Sequence, residues 1–388
     1  MSLYLTDIPD ALKNRFYALT TPEDVAALLD VRYSNLVYWI YRTPANRRYT
    51  QFTIRKKHGS HRQIASPSTN IKILQQKLHQ ALQAVYQPKT SVHGFVIDRS
   101  VKTNAERHVR RKYVFNADIQ DFFPSINFGR VRGMFMGKPY NRPERVATVL
   151  AHLCCHNGVL PQGAPTSPDI SNMICAQMDS QLQKLAFDHR CTYTRYVDDI
   201  TFSTSRRVFP TAIAIENALL QVEPGHEFSN IVTSNGFAIN PVKIWFRRQD
   251  RRQEVTGIIV NERLNLPRRY TNQVRAMLHA WKTYGIEAAQ SEHDAKYSRK
   301  HRAPWRGSTL YQFILKGRIE YLGMVKGKYS RTYIQFLKQL RDLDPSLVTR
   351  ALSQLETLAA RYDALKKSGD PHGRGYDLQV LLRDTFEH

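Results

Sequence analysis

The amino-acid sequence predicts an α+β fold, a sheet with helices on one face, and three observations lead there. Short runs rich in aromatic and β-branched residues, which suit a pleated surface, recur between about 49 and 260. Longer stretches with helical apolar spacing lie between them. After Pro267 the strand signals stop and only helical spacing continues, which places a boundary near 265.

Taken in order, the first stretch is helical. Thr21-Pro22-Glu23-Asp24 carries a cap signature ahead of apolar Val25, Leu28, Leu29 and Val31, as in an accessory bundle. Tyr49–Ile54 and Arg62–Ala65 then alternate on either side of Lys57-His58-Gly59-Ser60, a hairpin. A helix is expected over 71–86, and Lys112–Asp118 reads as a strand ending in a carboxylate. Helical spacing returns over Ser171–Phe187 and Thr211–Gln221. Thr192–Tyr196 and Ile200–Ser203 read as strands that put Val197-Asp198-Asp199 on a hairpin tip, while Gly236–Asn240 and Glu254–Val260 suggest further strands. Helices are expected over 271–289 and 309–323 and in two segments beyond Tyr329, before a breaker from Ser368 to Gly375.

Lysine and arginine number 57 against 33 acidic residues, a formal net charge of +24. Such a surplus favours a polyanionic partner through counterion release and steering, and by itself fits RNA packaging without chemistry as well as catalysis. The stretch 291–307 interleaves Lys296, Arg299, Lys300, Arg302 and Arg306 with Tyr297 and Trp305, a mix suited to phosphates and to stacking on bases, or else a solvated basic loop. Four cysteines form no paired framework, and no secretory signal or long apolar span is seen, so the expected location is the cytoplasm with no membrane partner. His152, Cys154, Cys155 and His156 lack the ligand spacing of a zinc site; a buried helix over 146–153 explains them better.

Chemistry enters with the aspartates. Nucleotidyl transfer uses two divalent cations about 4 Å apart, one activating the attacking hydroxyl and one neutralising the triphosphate. Small, hard Mg²⁺ asks for oxygen ligands, and a strand end beside a hairpin tip supplies them at fixed spacing. Asp118 and Asp198 fit that role, with Asp199 as third carboxylate and the Ile119 carbonyl completing one shell. An aspartate pair alone also suits an ordinary turn, but adjacent acids repel, so a cation between them and Asp118 makes better sense of the set.

Several blocks, in order over about Tyr49 to Val260, together resemble the reverse transcriptases, and among them the bacterial retron type. Phe115–Phe123 resembles the first catalytic block, Leu160–Pro168 the template and nucleotide block, and Tyr196-Val197-Asp198-Asp199 the metal block. Gly236–Lys243 is similar to the block whose lysine, here Lys243, is the candidate proton donor to pyrophosphate. The resemblance implies a right-hand polymerase fold: an N-terminal helical extension over 1–45, fingers over 46–112 and 129–165, a palm with an antiparallel sheet and helices on one face over 113–128 and 166–262, a helical thumb over 263–330, and a helical C-terminal extension over 331–388. It makes the 55–62 hairpin a fingers element over the incoming dNTP, with Lys57 and Arg62 as phosphate contacts. Gln162-Gly163 would meet the nascent base pair where glycine permits close approach. Phe123 would lie under the sugar, where a ring has no polar group to accept a 2′-hydroxyl.

Two shorter blocks narrow the type. Thr103–His108 is similar to the retron Asn-Ala-x-x-His element, which makes Asn104 and His108 candidates for RNA recognition, and Val255-Thr256-Gly257 is similar to a triplet used near the thumb for the cognate RNA. By resemblance the protein would bind two Mg²⁺ and a structured noncoding RNA as template and primer. It would start from a 2′-hydroxyl, make branched multicopy single-stranded DNA (msDNA), and act with an effector protein in phage defence. The rivals are a diversity-generating, group II-like or unbranched defence enzyme, and a non-catalytic RNA-binding scaffold.

Overall fold

The computed structural model describes residues 4–55, 61–216, 222–297 and 310–348. The chain divides into two compact units, Met1–Asn265 and Leu266–His388. In the first, helices α1 (Pro9–Tyr17), α2 (Pro22–Leu28), α3 (Tyr33–Val37) and α4 (Ala45–Arg48) precede a hairpin of β1 (Tyr49–Arg55) and β2 (His61–Pro67). The Thr21 signature is a capping box: Asp24 N–H donates to the Thr21 hydroxyl and Thr21 N–H to the Asp24 carboxylate. Next come α5 (Thr69–Val85), α6 (Val101–Glu106), β3 (Tyr113–Asp118), α7 (Phe122–Ser125), α8 (Phe128–Met136), α9 (Glu144–Cys154) and α10 (Ser167–Asp188). The first unit closes with β4 (Thr192–Tyr196), β5 (Asp199–Thr204), β6 (Ala214–Glu216), β7 (Val222–Pro224), α11 (His226–Ser234), β8 (Trp245–Arg248), β9 (Glu254–Val255) and β10 (Ile258–Ile259).

The central sheet has the order β4-β5-β3-β8, every pair antiparallel. Its two faces follow the period of two. Tyr193, Arg195, Phe202 and Phe115 point to α10 and α11, where Phe228 meets both Phe115 and Phe202 edge-on and Asp179 meets Tyr193 and Arg195. Thr194, Ser203, Thr201 and Asn116 point the other way, and His108 lies between Thr194 and Ser203. The Cys154 and Cys155 side chains are buried, while His152 and His156 pack on the rings of Phe128 and Tyr49.

Three expectations need correction. Thr211–Gln221 is not a helix as far as it is described: 211–213 turn and Ala214–Glu216 pairs with Val222–Pro224. A short apolar run such as Ile213-Ala214-Ile215 fits either period, and Gly225 settles it by packing so closely on Thr211 and Ala212 that an added Cβ would lie 2.3 Å from the Thr211 oxygen. Gly236–Asn240 makes only a bridge from Ile239 to Ile119, because Pro241, with no N–H to donate, starts a 3₁₀ turn over Pro241–Lys243. Glu254–Val260 is not one strand but a tight hairpin, its turn made by Thr256 (φ 47°) and Gly257 (φ 82°).

The second unit holds α12 (Arg268–Tyr297), kinked at Gly285 (φ 81°), α13 (Tyr311–Lys326) and α14 (Arg331–Leu343). Its core includes Leu278, Trp281, Leu315, Ile319, Leu322 and Tyr333. The Tyr333 ring lies flush on Gly323, where a Cβ would come within 2.5 Å, so α13 continues past that glycine. Of the basic stretch 291–307, residues 298–307 lie outside the described residues.

Candidate active site

The three carboxylates converge because of strand register. Asp118 at the end of β3 sits directly opposite Asp199 at the start of β5, and Asp199 also pairs with Tyr196. Ile119 N–H donates to the Asp198 carbonyl at 3.0 Å, which ties the strand end to the hairpin tip. Val197, inside that tip, has φ 62°, a conformation a β-branched residue rarely adopts. Arg195 holds it there: Nη1 donates to the Val197 carbonyl at 2.9 Å, while Nε and Nη2 clasp both oxygens of Asp179 at 2.8 and 2.7 Å. Both partners are completely buried, and Asp179 also accepts from the Tyr193 hydroxyl.

The tip is supported from a second side. His93 N–H donates to the Arg195 carbonyl and Arg195 N–H to the Ser91 carbonyl, so 91–94 runs alongside β4. Asn172 of α10 accepts from Arg195 and donates to the Gly94 carbonyl. A Cβ on Gly94 would lie 2.5 Å from Val197 N, a contact only glycine avoids. The Gly94→Ala variant is therefore expected to lose polymerase activity about a hundredfold by displacing the tip, with a much smaller change in urea midpoint; activity within a factor of two of the parent would show that the contact does not position the aspartates.

Negative charge is in surplus here. Burial and then the Asp118 charge raise the proton affinity of Asp198, and burial, Asp198 and Asp118 together push Asp199 up to about 7. Asp199 keeps solvent on its groove side, so its share of stability is modest. A carboxylate whose folded pKa is raised contributes stability below its ordinary value near 3.8 and loses it as pH climbs through about 7. With EDTA present, the melting temperature is expected to fall as pH rises from about 4 to about 7, and millimolar Mg²⁺ to flatten that fall; a slope indifferent to Mg²⁺ would contradict it.

Lys243 answers part of that charge. Its ammonium lies 2.7 Å from Asp118 Oδ2, and although burial works against its charged form, Asp118 and then Asp198 and Asp199 raise its pKa. Asn240 donates to Asp118 Oδ1 at 3.3 Å. Among the described residues, no three acidic, histidine or cysteine side chains enclose a metal-sized point. The donor chemistry suits hard cations: three neighbouring carboxylates with, among the described residues, one side-chain cation in direct contact.

The other expected residues divide. Arg62 is exposed on β2 and its charge reaches Asp198; Lys57 lies outside the described residues. Phe123 is half-buried, edge-on to Phe122 and near exposed Phe95. Gly163 (φ 122°) does permit a close approach, but to protein: an added Cβ would lie 3.0 Å from the Ala65 carbonyl, and Ala65 N–H donates to Gln162. Asn104 and His108, the candidates for RNA recognition, are both buried. The His108 ring bonds to the hydroxyls of Ser203 and Thr194 at 2.7 Å each, and burial pushes its pKa down to about 3, so it is a neutral brace beneath the sheet. Val255 is buried, Thr256 half-buried, and Gly257 exposed.

Thr256 and Gly257 line a groove of about 650 Å³ that runs along the outer sheet face to Tyr196 and Asp199. Trp245, 52% exposed, lies in this groove with the Arg247 guanidinium 5.1 Å over its ring. Such a surface suits a sugar or base beside the catalytic end. Sequence reading missed Trp245, Arg195, Asp179, Asn240 and Gly94. Only Trp245 carried a readable signal, an indole in a strand otherwise edged with arginine.

The reverse transcriptase (RNA-dependent DNA polymerase) family matches residues 54–260. The chain is 35% identical over 315 residues to the Retron Mx65 reverse transcriptase of Myxococcus xanthus, covering 76% of this chain and 69% of the relative. It is 30% identical to the Retron Mx162 reverse transcriptase of the same organism (86% and 69% covered) and 32% identical to the Retron Ec86 reverse transcriptase of Escherichia coli (61% and 70%). A matched segment that contains β2, all three aspartates and the Thr256 turn, together with these relatives, places the chain among the bacterial retron-type reverse transcriptases, RNA-directed DNA polymerases.

Proposed function

We propose that this polymerase copies a cognate structured noncoding RNA into msDNA, starting from a 2′-hydroxyl of that RNA, and that the branched product works with an effector protein in defence against phage. The observation that carries the catalytic part is the register that sets Asp118 against Asp199 at the tip held by Arg195. Reverse transcriptases generally use divalent metal ions. Asp118, Asp198 and Asp199, with the Ile119 carbonyl, would hold two Mg²⁺, which when bound activate the attacking hydroxyl and neutralise the leaving group.

The chain's own groups have separate tasks in this reading. Lys243, held protonated by the aspartates, gives its proton to departing pyrophosphate. Arg62 and Lys57 contact the triphosphate, Phe123 excludes a 2′-hydroxyl, and Gln162-Gly163, tied to β2 through Ala65, back the nascent pair. Buried Asn104, His108 and Val255 act on RNA only by fixing α6 and the exposed turn at Thr256-Gly257. Nucleic acid co-purifying with the protein is expected to be one RNA species joined to DNA through a 2′,5′ branch, read by sequencing before and after debranching. Linear DNA alone would favour an unbranched reverse transcriptase.

A further inference from the structure

Behind the sheet, in the first unit, lies a cleft of about 880 Å³ that the catalytic reading leaves unused. α10 separates it from the active site. Asn172 and Asp179 face the catalytic hairpin, whereas Met173, Gln177 and Gln181 line the cleft from roughly 100–180° round the helix, at 100° per residue.

The walls have a consistent chemistry. Lys13 of α1, Lys89 after α5 and Lys138 after α8 reach the cleft from three separate segments, and none has a carboxylate partner among the described residues. No Asp or Glu is found in the described lining. The helix ends that would repel an anion are covered: Arg130 donates to the Asn235 and Gly236 carbonyls after α11, and Arg142 to Phe16, Tyr17 and Leu19 at the end of α1. Tyr17 and Tyr86 bring aromatic rings to the lining, the Arg142 guanidinium lying 5.5 Å over the Tyr17 ring, and the Tyr86 hydroxyl is shielded from water with no hydrogen-bond partner among the described residues. Gln177 adds an amide that can both donate and accept, while Asn235 Nδ2 already donates to Gln181 Oε1 and to the Ile231 carbonyl and so fixes that pair on the cleft wall.

We propose that this cleft is a second polynucleotide site, which holds a single-stranded run of RNA while the catalytic groove engages the growing end. Lysines from three segments suit successive phosphates better than a single one, and aromatic faces with amides suit unpaired bases. The proposal rests on RNA-directed polymerisation only for the identity of its ligand.

The test uses the full chain with Lys13, Lys89 and Lys138 all changed to Gln, and in parallel all changed to Arg. Binding of a fluorescein-labelled oligouridylate is followed against salt, and extension of a short annealed primer–template is measured beside it. The glutamine variant is expected to bind at least about tenfold more weakly, with a salt slope shallower by about 2 for three lost contacts, while extension stays at the parent rate. The arginine variant is expected to bind like the parent. Unchanged affinity and slope in the glutamine variant would overturn the proposal, as would loss of an acidic peptide's binding with oligouridylate binding intact. A parallel loss of extension would also overturn it, since the lysines would then act on the catalytic groove. A parent chain that extends no primer would instead count against the polymerase reading and leave the binding comparison standing.

Discussion

DNA synthesis by an Asp198→Ala, Asp199→Ala variant is expected to fall by at least about a thousandfold, the scale seen when groups that stabilise transition-state charge are removed. RNA binding is expected to survive, because phosphate contacts come from basic residues and the change removes two repelling charges. Stability offers an internal control. Burial and Asp118 raise the proton affinity of Asp198, and burial, Asp198 and Asp118 that of Asp199, so in EDTA near neutral pH their removal relieves repulsion and the variant is expected to melt no lower than the parent. Primer extension, filter binding and a melting curve on one preparation decide the matter. Undiminished synthesis would overturn the site assignment, and synthesis lost together with folding would leave the aspartates with a structural role.

Arg195→Met is expected to destabilise the first unit by about 3–5 kcal/mol, because it leaves Asp179 charged in a completely buried position. Asp179 would keep the Tyr193 hydroxyl, a single neutral donor in place of a bidentate guanidinium. Pairing the change with Asp179→Leu removes the orphaned charge and is expected to recover most of that stability. Activity is expected not to follow, since the Val197 carbonyl would still lack the donor that holds the tip at positive φ. Urea midpoints of the single and double variants separate the two effects. A double variant as active as the parent would show that Arg195 serves the fold alone.

The catalytic aspartates were legible because each has a local signature: Asp118 ends a run of aromatic and branched residues, and Asp198-Asp199 interrupt two alternating ones. What supports them was not legible, and the reasons are physical. Arg195 sits in a strand of period two and reads as a solvent-facing charge until Asp179, sixteen positions earlier in a helix, is known to lie under it. Gly94 carries no local pattern, since its need for a bare Cα comes from a tip a hundred residues away. His108 was legible as a motif but not in its role, because a histidine between two hydroxyls looks in sequence like any polar recognition residue. The β9–β10 turn was hidden because Thr at positive φ is uncommon.

The opposition of Asp118 and Asp199 also limits how such a protein can change over time. Adding or removing one residue between Tyr113 and Asp118, or between Asp199 and Thr204, would turn every later side chain of that strand to the opposite face and carry a carboxylate away from its neighbour. Lineages of this enzyme are therefore expected to hold these two six-residue strands at constant length. Anyone splicing in a tag or a sensor peptide inherits the same rule.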